Sequence, residues 1–349
     1  MSRSLTVRQA RLVLPDRVVT GDIVVEDGVI TEIAPRVDRA VGIELDGRDR
    51  VVLPGAIDLV AHLESVEDLS GISSTAAVGG YTSLCGVGPA ETAAELKLEL
   101  GRAVEASRVH CGLYIRATAD NLDELRAADR ARGIWVSGAI LHDPHADALF
   151  AAADRVLVID NVDPARLAAR AHLYPDTVDP ADHKRIQDVD SAVAATRHAL
   201  DLAQKHGRPV ILAHVSTAEE VELARGRPPC AFAAVQPTHL FLDDSAYAAL
   251  GTRVVASPPV RGPRHREALW EGLTTGVLDG VCTGHWPVRP EWKDRPYPQT
   301  AVGMPTAQWT LPLLLDAALA GRCSLVDVVR WTAERPARAL KLPRKGRLE

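Results

Sequence analysis

The chain has 349 residues, 46% of them hydrophobic, enough for a large core and, at roughly 150 residues per domain, for two domains or one large α/β barrel. A formal net charge of −6 gives no footprint for nucleic acid or for an anionic membrane surface. Five cysteines, odd in number, far apart and without a C-x-x-C pair, argue against a disulfide framework and a cysteine-type zinc site. The opening residues are too polar for a signal peptide, and no apolar run is long enough to span a bilayer, so the expectation is a cytoplasmic protein.

Residues 4–53 carry strand-like runs at 5–14, 18–25 and 29–33, the last two separated by Glu26-Asp27-Gly28, a good hairpin turn. No helix-period segment appears before about residue 67, so residues 1–53 are expected to form a small N-terminal β domain. After Pro54 the pattern alternates. Strand-like runs at 56–63, 81–86, 110–116, 133–141, 155–160, 209–215, 230–236 and 280–283 are mostly followed by amphipathic stretches such as 90–106, 122–132, 192–206, 218–225 and 265–275. Eight strands alternating with helices predict an α/β fold, a (β/α)8 TIM barrel over 54–340, with a doubly wound open sheet as the competitor. Two more helices, 305–320 and 325–340, precede a return segment, 341–349, toward the β domain. Residues 161–190, with three prolines, read as a long irregular loop at the top of the fifth strand.

Several motifs carry a resemblance. Leu53-Pro54-Gly55-Ala56-Ile57-Asp58-Leu59-Val60-Ala61-His62 resembles the Pro-Gly-x-Ile-Asp-x-His-x-His opening strand of the amidohydrolase superfamily, in particular its dihydroorotase branch. The likeness continues through Ala76-Ala77-Val78-Gly79-Gly80-Tyr81-Thr82, His214-Val215-Ser216-Thr217, Pro237-Thr238-His239-Leu240, Ser257-Pro258-Pro259-Val260-Arg261, Thr283-Gly284-His285-Trp286-Pro287 and Arg335-Pro336-Ala337-Arg338. In order along the chain, these settle the expected fold for the metal-dependent hydrolase barrel, but fold is not function.

The departures fall on the chemistry that the resemblance implies. In the family two divalent metals are held by the His-x-His pair, a carboxylated lysine on strand 4, histidines on strands 5 and 6, and an aspartate on strand 8 that is also the general base. Here the first histidine is Val60, strand 4 has no lysine, strand 5 ends in Asp160-Asn161, and Gly284 replaces the catalytic aspartate. Only His62 and His214 keep a ligand-type side chain. The arginine that grips the substrate carboxylate is Glu64, and the asparagine of Asn-Pro-Pro is Ser257. No catalytic residue, metal or cofactor is therefore expected; loss of a positioned general base alone costs about 10²–10⁴ in rate.

His62 and His214 read as residual histidines hydrogen-bonded at the barrel mouth. The competing reading is a rebuilt one-zinc site from His62, His214, His285 and Asp160, in an active amidohydrolase cleaving a cyclic amide. Cys282 reads as a small buried hydrophobe, His239 as a packing or cap residue, and His142, His145, His172 and His183 as surface residues. The resemblance implies a catalytically inactive pseudo-dihydroorotase of pyrimidine biosynthesis, a structural subunit supporting assembly of aspartate carbamoyltransferase, alone or as a homo-oligomer, with no nucleic-acid or membrane partner. The family completes its small β domain with further strands after Lys-Gly-x-Ile; here the sequence stops at Glu349, so the β domain is expected to have an edge covered by a partner or by residues 341–349.

Overall fold

Asp27 and Gly28 both take positive φ, 51° and 83°, and turn the second hairpin of the chain, as the Asp-Gly pair requires. The computed structural model describes residues 4–63 and 69–349. Strands β1 (Leu5–Val13), β2 (Val18–Glu26), β3 (Val29–Ala34) and β4 (Ile43–Asp46) lie in the order β3-β2-β1-β4, with β5 (Val51–Val52) also paired to β1. β1 to β3 run antiparallel, whereas β4 and β5 lie parallel to β1. A bulge interrupts β1 between Val7 and Ala10, with Gln9 at φ 53°. Buried Asp22 pins it, accepting from the Gln9 amide at 2.8 Å, the Val37 amide at 3.0 Å and the Arg8 guanidinium at 2.9 Å. Burial alone would raise this carboxyl, but those donors more than offset it and hold it down at about 2.

Residues Met1–Ile57 and Leu314–Glu349 make one compact unit, and Asp58–Leu313 the other. The helices beyond residue 313 thus group with the β strands, where the sequence boundaries counted 314–340 with the barrel. In the first unit Leu348 packs with Ala10, Leu12 and Ile23, and Val329 and Ala333 with Val13. The end segment therefore fills the sheet's core and does not lie along its edge. Among the described residues nothing pairs with the outer side of β4, whose Ile43 and Leu45 are exposed.

The second unit is built on β6 (Ala56–His62), β7 (Tyr81–Val87), β8 (His110–Arg116), β9 (Ile134–Val136), β10 (Leu157–Ile159), β11 (Val210–Val215), β12 (Ala231–Val235) and β13 (Gly280–Val281), neighbours in chain order. Continuous apolar runs suit strands covered on both faces, and β11 and β12 are buried throughout. Past the end of β13 the sheet closes on β6: the Gly284 amide donates to the Val60 carbonyl at 3.0 Å and the His62 amide to the His285 carbonyl at 2.8 Å. Closure excludes the open doubly wound sheet and makes the unit the expected barrel. Buried Asp58 fastens the seam, accepting from the Thr283 hydroxyl at 2.5 Å and the Thr283 amide at 2.9 Å.

Two expectations need correction. Strand 4 stops at Val136 because Ser137 caps a short helix, Gly138–Leu141. The stretch 161–190 is irregular only in part: it holds helix Pro164–Ala171, a 3₁₀ turn Pro180–Asp182 and helix His183–Ile186. Two of its three prolines, Pro164 and Pro180, sit at first helical positions behind the caps Asp163 and Asp179, where a missing N–H costs nothing, and Pro175 lies in the turn between them. No helix among the described residues is long and apolar enough to cross a membrane.

Candidate functional site

The C-terminal ends of barrel strands carry the chemistry of this architecture. There His62 at the end of β6, Asp160 after β10 and Gln236 after β12 line a cavity of about 500 Å³, with Ser257 and Trp286 from loops and Trp292 from the short helix Pro290–Lys293. Rings enclose His62. Trp286 stacks on it at 4.3 Å, Trp135 of β9 meets it edge-on at 5.6 Å, and His214 of β11 lies 6.1 Å away. Trp135 is also edge-on to His214 at 6.2 Å, so one indole borders both histidines.

Burial, with Arg116 and His285 adding to it, lowers His62 to about 3. Burial and the neighbouring His62 push His214 well below the ordinary imidazole value. Both rings are neutral at pH 7. A neutral imidazole has one lone-pair nitrogen, and in His214 it is taken: Gln236 Nε2 donates to Nδ1 at 2.6 Å, which leaves the proton on Nε2. The same carboxamide occupies the place a side chain at 284 would need. Gly284 has φ 57°, and a Cβ there would stand 2.1 Å from Gln236 Nε2.

His285 is turned aside. Its Nδ1 accepts from the Ala307 amide at 3.2 Å, and the residue lines a separate cavity of about 580 Å³ with Arg289 and Trp309. Asp160 shares the mouth cavity with His62; burial raises its carboxyl to about 6, against the pull of Arg116, and it accepts no side-chain hydrogen bond among the described residues. Glu64 lies outside the described residues. Among the described residues no group of three or more His, Cys, Asp or Glu side chains is placed to hold a metal ion. A hydrolytic zinc takes about three protein ligands and an open position; with His214 and His285 engaged elsewhere, the donor set present does not fit one.

The mouth is held from behind by a polar cluster. Glu220, fully buried, accepts from Asn161 Nδ2 at 2.6 Å, the Thr196 hydroxyl at 2.7 Å, the Ser216 amide at 2.9 Å and hydroxyl at 3.2 Å, and the Thr217 hydroxyl at 3.0 Å. Arg261, 4% exposed, donates to Ser216 Oγ at 3.2 Å and so sets a positive charge behind that carboxylate. The cluster ties the residues following β10 and β11 together. Glu220→Gln, which turns one of the two acceptor oxygens into a donor facing donors, is expected to cost about 2 kcal/mol in urea unfolding; an unchanged midpoint would contradict that role.

Cys282 is buried and its thiol donates to the Ala213 carbonyl at 3.0 Å, a packing role. His239 Nε2 donates to the Pro258 and Pro259 carbonyls at 3.1 and 3.2 Å, holding the Ser257–Arg261 loop. His183, expected at the surface, is buried with its Nε2 on the Ala256 carbonyl at 2.9 Å, because the stretch it lies in folds onto the barrel unit. His142 is exposed and stacks on His198 at 5.5 Å. Sequence reading passed over Gln236, Trp135, Trp286 and Glu220. Gln236 directly precedes the Pro237 motif and Trp135 sits in the strand searched for a lysine; either, as a bulky or polar group on a barrel strand end, was a usable signal.

No family model matches the chain. Among curated proteins it is 30% identical over 359 residues to a dihydroorotase of Halobacterium salinarum, covering 94% of this chain and 83% of the relative. It is 29% identical over 355 residues to a dihydroorotase of Methanothermobacter thermautotrophicus (95% and 80%), and 27% over 351 residues to one of Listeria monocytogenes (94% and 82%). Among solved structures, the L-hydantoinase (dihydropyrimidinase) of Arthrobacter aurescens superposes with a TM-score of 0.90 at 24% identity, over 99% of this chain and 84% of that one. A dihydropyrimidinase of Brevibacillus agri gives 0.87 at 20%, again over 99% of this chain and 84% of that one. Fold, motif order and these identities agree, and the chain belongs to the dihydroorotase-like branch of the amidohydrolase superfamily.

Proposed function

We propose that this chain is a pseudo-dihydroorotase, a member of its branch that has lost metal-dependent hydrolysis and serves pyrimidine biosynthesis as a non-catalytic cytoplasmic subunit. One observation carries the reading: the Gln236 carboxamide fills the space of the absent side chain at 284 and engages the lone pair of His214. The position that would supply the general base and the lone pair that His214 carries in this arrangement are taken by one contact. Val60 and the Trp135 indole beside both histidines support the same conclusion. A barrel kept intact around such a mouth has value through its surface, and the family points to aspartate carbamoyltransferase as the partner, with self-association the other arrangement. The test is purification of the native protein without chelator. The carbamoyltransferase is expected to co-elute and to lose activity or assembly when this chain is withheld. A chain that elutes alone, beside a transferase fully active in its absence, would sink the proposal.

A second reading has one observation in its favour: His62 and an Asp160 carboxylate without a hydrogen-bond partner among the described residues share one cavity. In that reading a single zinc would be held there and a cyclic amide cleaved. It requires close to one equivalent of zinc in the purified protein together with turnover of dihydroorotate or a related cyclic amide; the first reading expects neither.

A further inference from the structure

The mouth cavity has an electrostatic character that the loss of hydrolysis does not explain. Its volume, about 500 Å³, suits a small-molecule site. Among the described residues its walls carry one acidic group, Asp160, and no lysine or arginine, with the Arg289 guanidinium over the ring of the wall residue Trp292 at 5.5 Å. The nearby ammonium of Lys293 is turned away, donating to the Val255 carbonyl at 2.7 Å and the Ala301 carbonyl at 3.0 Å. Arg116 belongs to a smaller cavity and donates to the Gly88 carbonyl at 2.5 Å; no ion pair joins it to Asp160 among the described residues. The flat walls are His62 stacked on Trp286, and Trp292. Gln236 turns its Nε2 to His214, which leaves its oxygen as an acceptor, and Ser257 adds a hydroxyl. A carboxylate, a carbonyl-type oxygen and aromatic faces suit a flat ligand with a row of N–H donors.

We propose that the barrel mouth binds a planar cation of the amidinium type, its ring against Trp286 and Trp292 and its N–H edge on Asp160. Such a ligand is opposite in charge to a carboxylate-bearing substrate. The site would make the chain a binder of small molecules as well as an assembly partner, and it stands apart from the partner reading.

The probe is benzamidine, titrated calorimetrically into the full-length protein with EDTA present, and compared with benzoate, which has the same shape and the opposite charge. Saturable benzamidine binding is expected, with benzoate at least about tenfold weaker. Asp160→Asn is expected to weaken benzamidine at least about tenfold, the range for losing a charge-assisted hydrogen bond. Trp292→Ala, at a side chain 40% exposed and away from the barrel strands, is expected to weaken it severalfold. No saturation up to millimolar benzamidine, benzoate bound as tightly, or affinity unchanged in both variants would overturn the proposal. Co-elution with a carbamoyltransferase is read separately and is unaffected by either result.

Discussion

Gly284→Asp is expected to destabilise the barrel by about 2–4 kcal/mol and to bring no zinc with it. The backbone there has φ 57°, a region that costs a residue with a Cβ about 1–3 kcal/mol. The new Cβ would also meet Gln236 Nε2 at 2.1 Å, so the carboxamide must leave His214, at a further cost of about 1 kcal/mol. The measurements are the urea midpoint and the zinc content of the variant. Pairing it with Gln236→Ala removes the clash but not the backbone strain, so the double variant should recover part of the loss and no more. A single variant as stable as the parent, or one that binds an equivalent of zinc, would show that Gln236 yields freely and that the mouth is not committed to its present packing.

The second large effect is acid sensitivity. Burial holds His183, His239 and His285 near 4, against an ordinary value of about 6.5, lowers His62 to about 3, and pushes His214 well below the ordinary value. Each folded-state value lies below the unfolded one, so the unfolded chain binds more protons through the interval between them. Stability from these groups is complete above about pH 6.5 and lost as pH falls toward 4. Asp58 and Asp160, both raised to about 6 by burial, act in the opposite sense, favouring the fold as they protonate below that value. Two carboxyls offset only part of what five imidazoles lose. The net expectation is several kcal/mol lost between pH 6.5 and 4.5, a large share of the roughly 5–15 kcal/mol that holds a domain together. Urea unfolding across that interval measures it. A flat profile would mean that these histidines reach water more easily than their packing implies.

Much of the barrel was legible because β6, β11 and β12 are buried almost throughout and therefore written as mostly apolar runs, broken only by Asp58, His62 and His214. The closing contacts were not: Ala61 pairs with His285 across the whole unit, and no local pattern encodes that. In the stretch 161–190 the prolines were read as marks of a loop when two of them, Pro164 and Pro180 behind Asp163 and Asp179, start helices. At the mouth, residue identities revealed what was missing at positions 60 and 284. What replaced it depends on a contact between Gln236 and a glycine far along the chain, and on a tryptophan whose neighbours are other strands. Absence can be read along a sequence, whereas occupancy is a property of three dimensions.

The packing of Leu348 against Ala10, Leu12 and Ile23 sets an order of events during synthesis. The first strands to leave the ribosome belong to a unit whose core takes a side chain from near residue 349. They must wait, with their apolar faces open, while the whole intervening barrel is translated, so maturation of the first-made segment is the last step. Nascent chains stalled just short of that residue should therefore carry a barrel already resistant to protease beside an amino-terminal segment that is still cut.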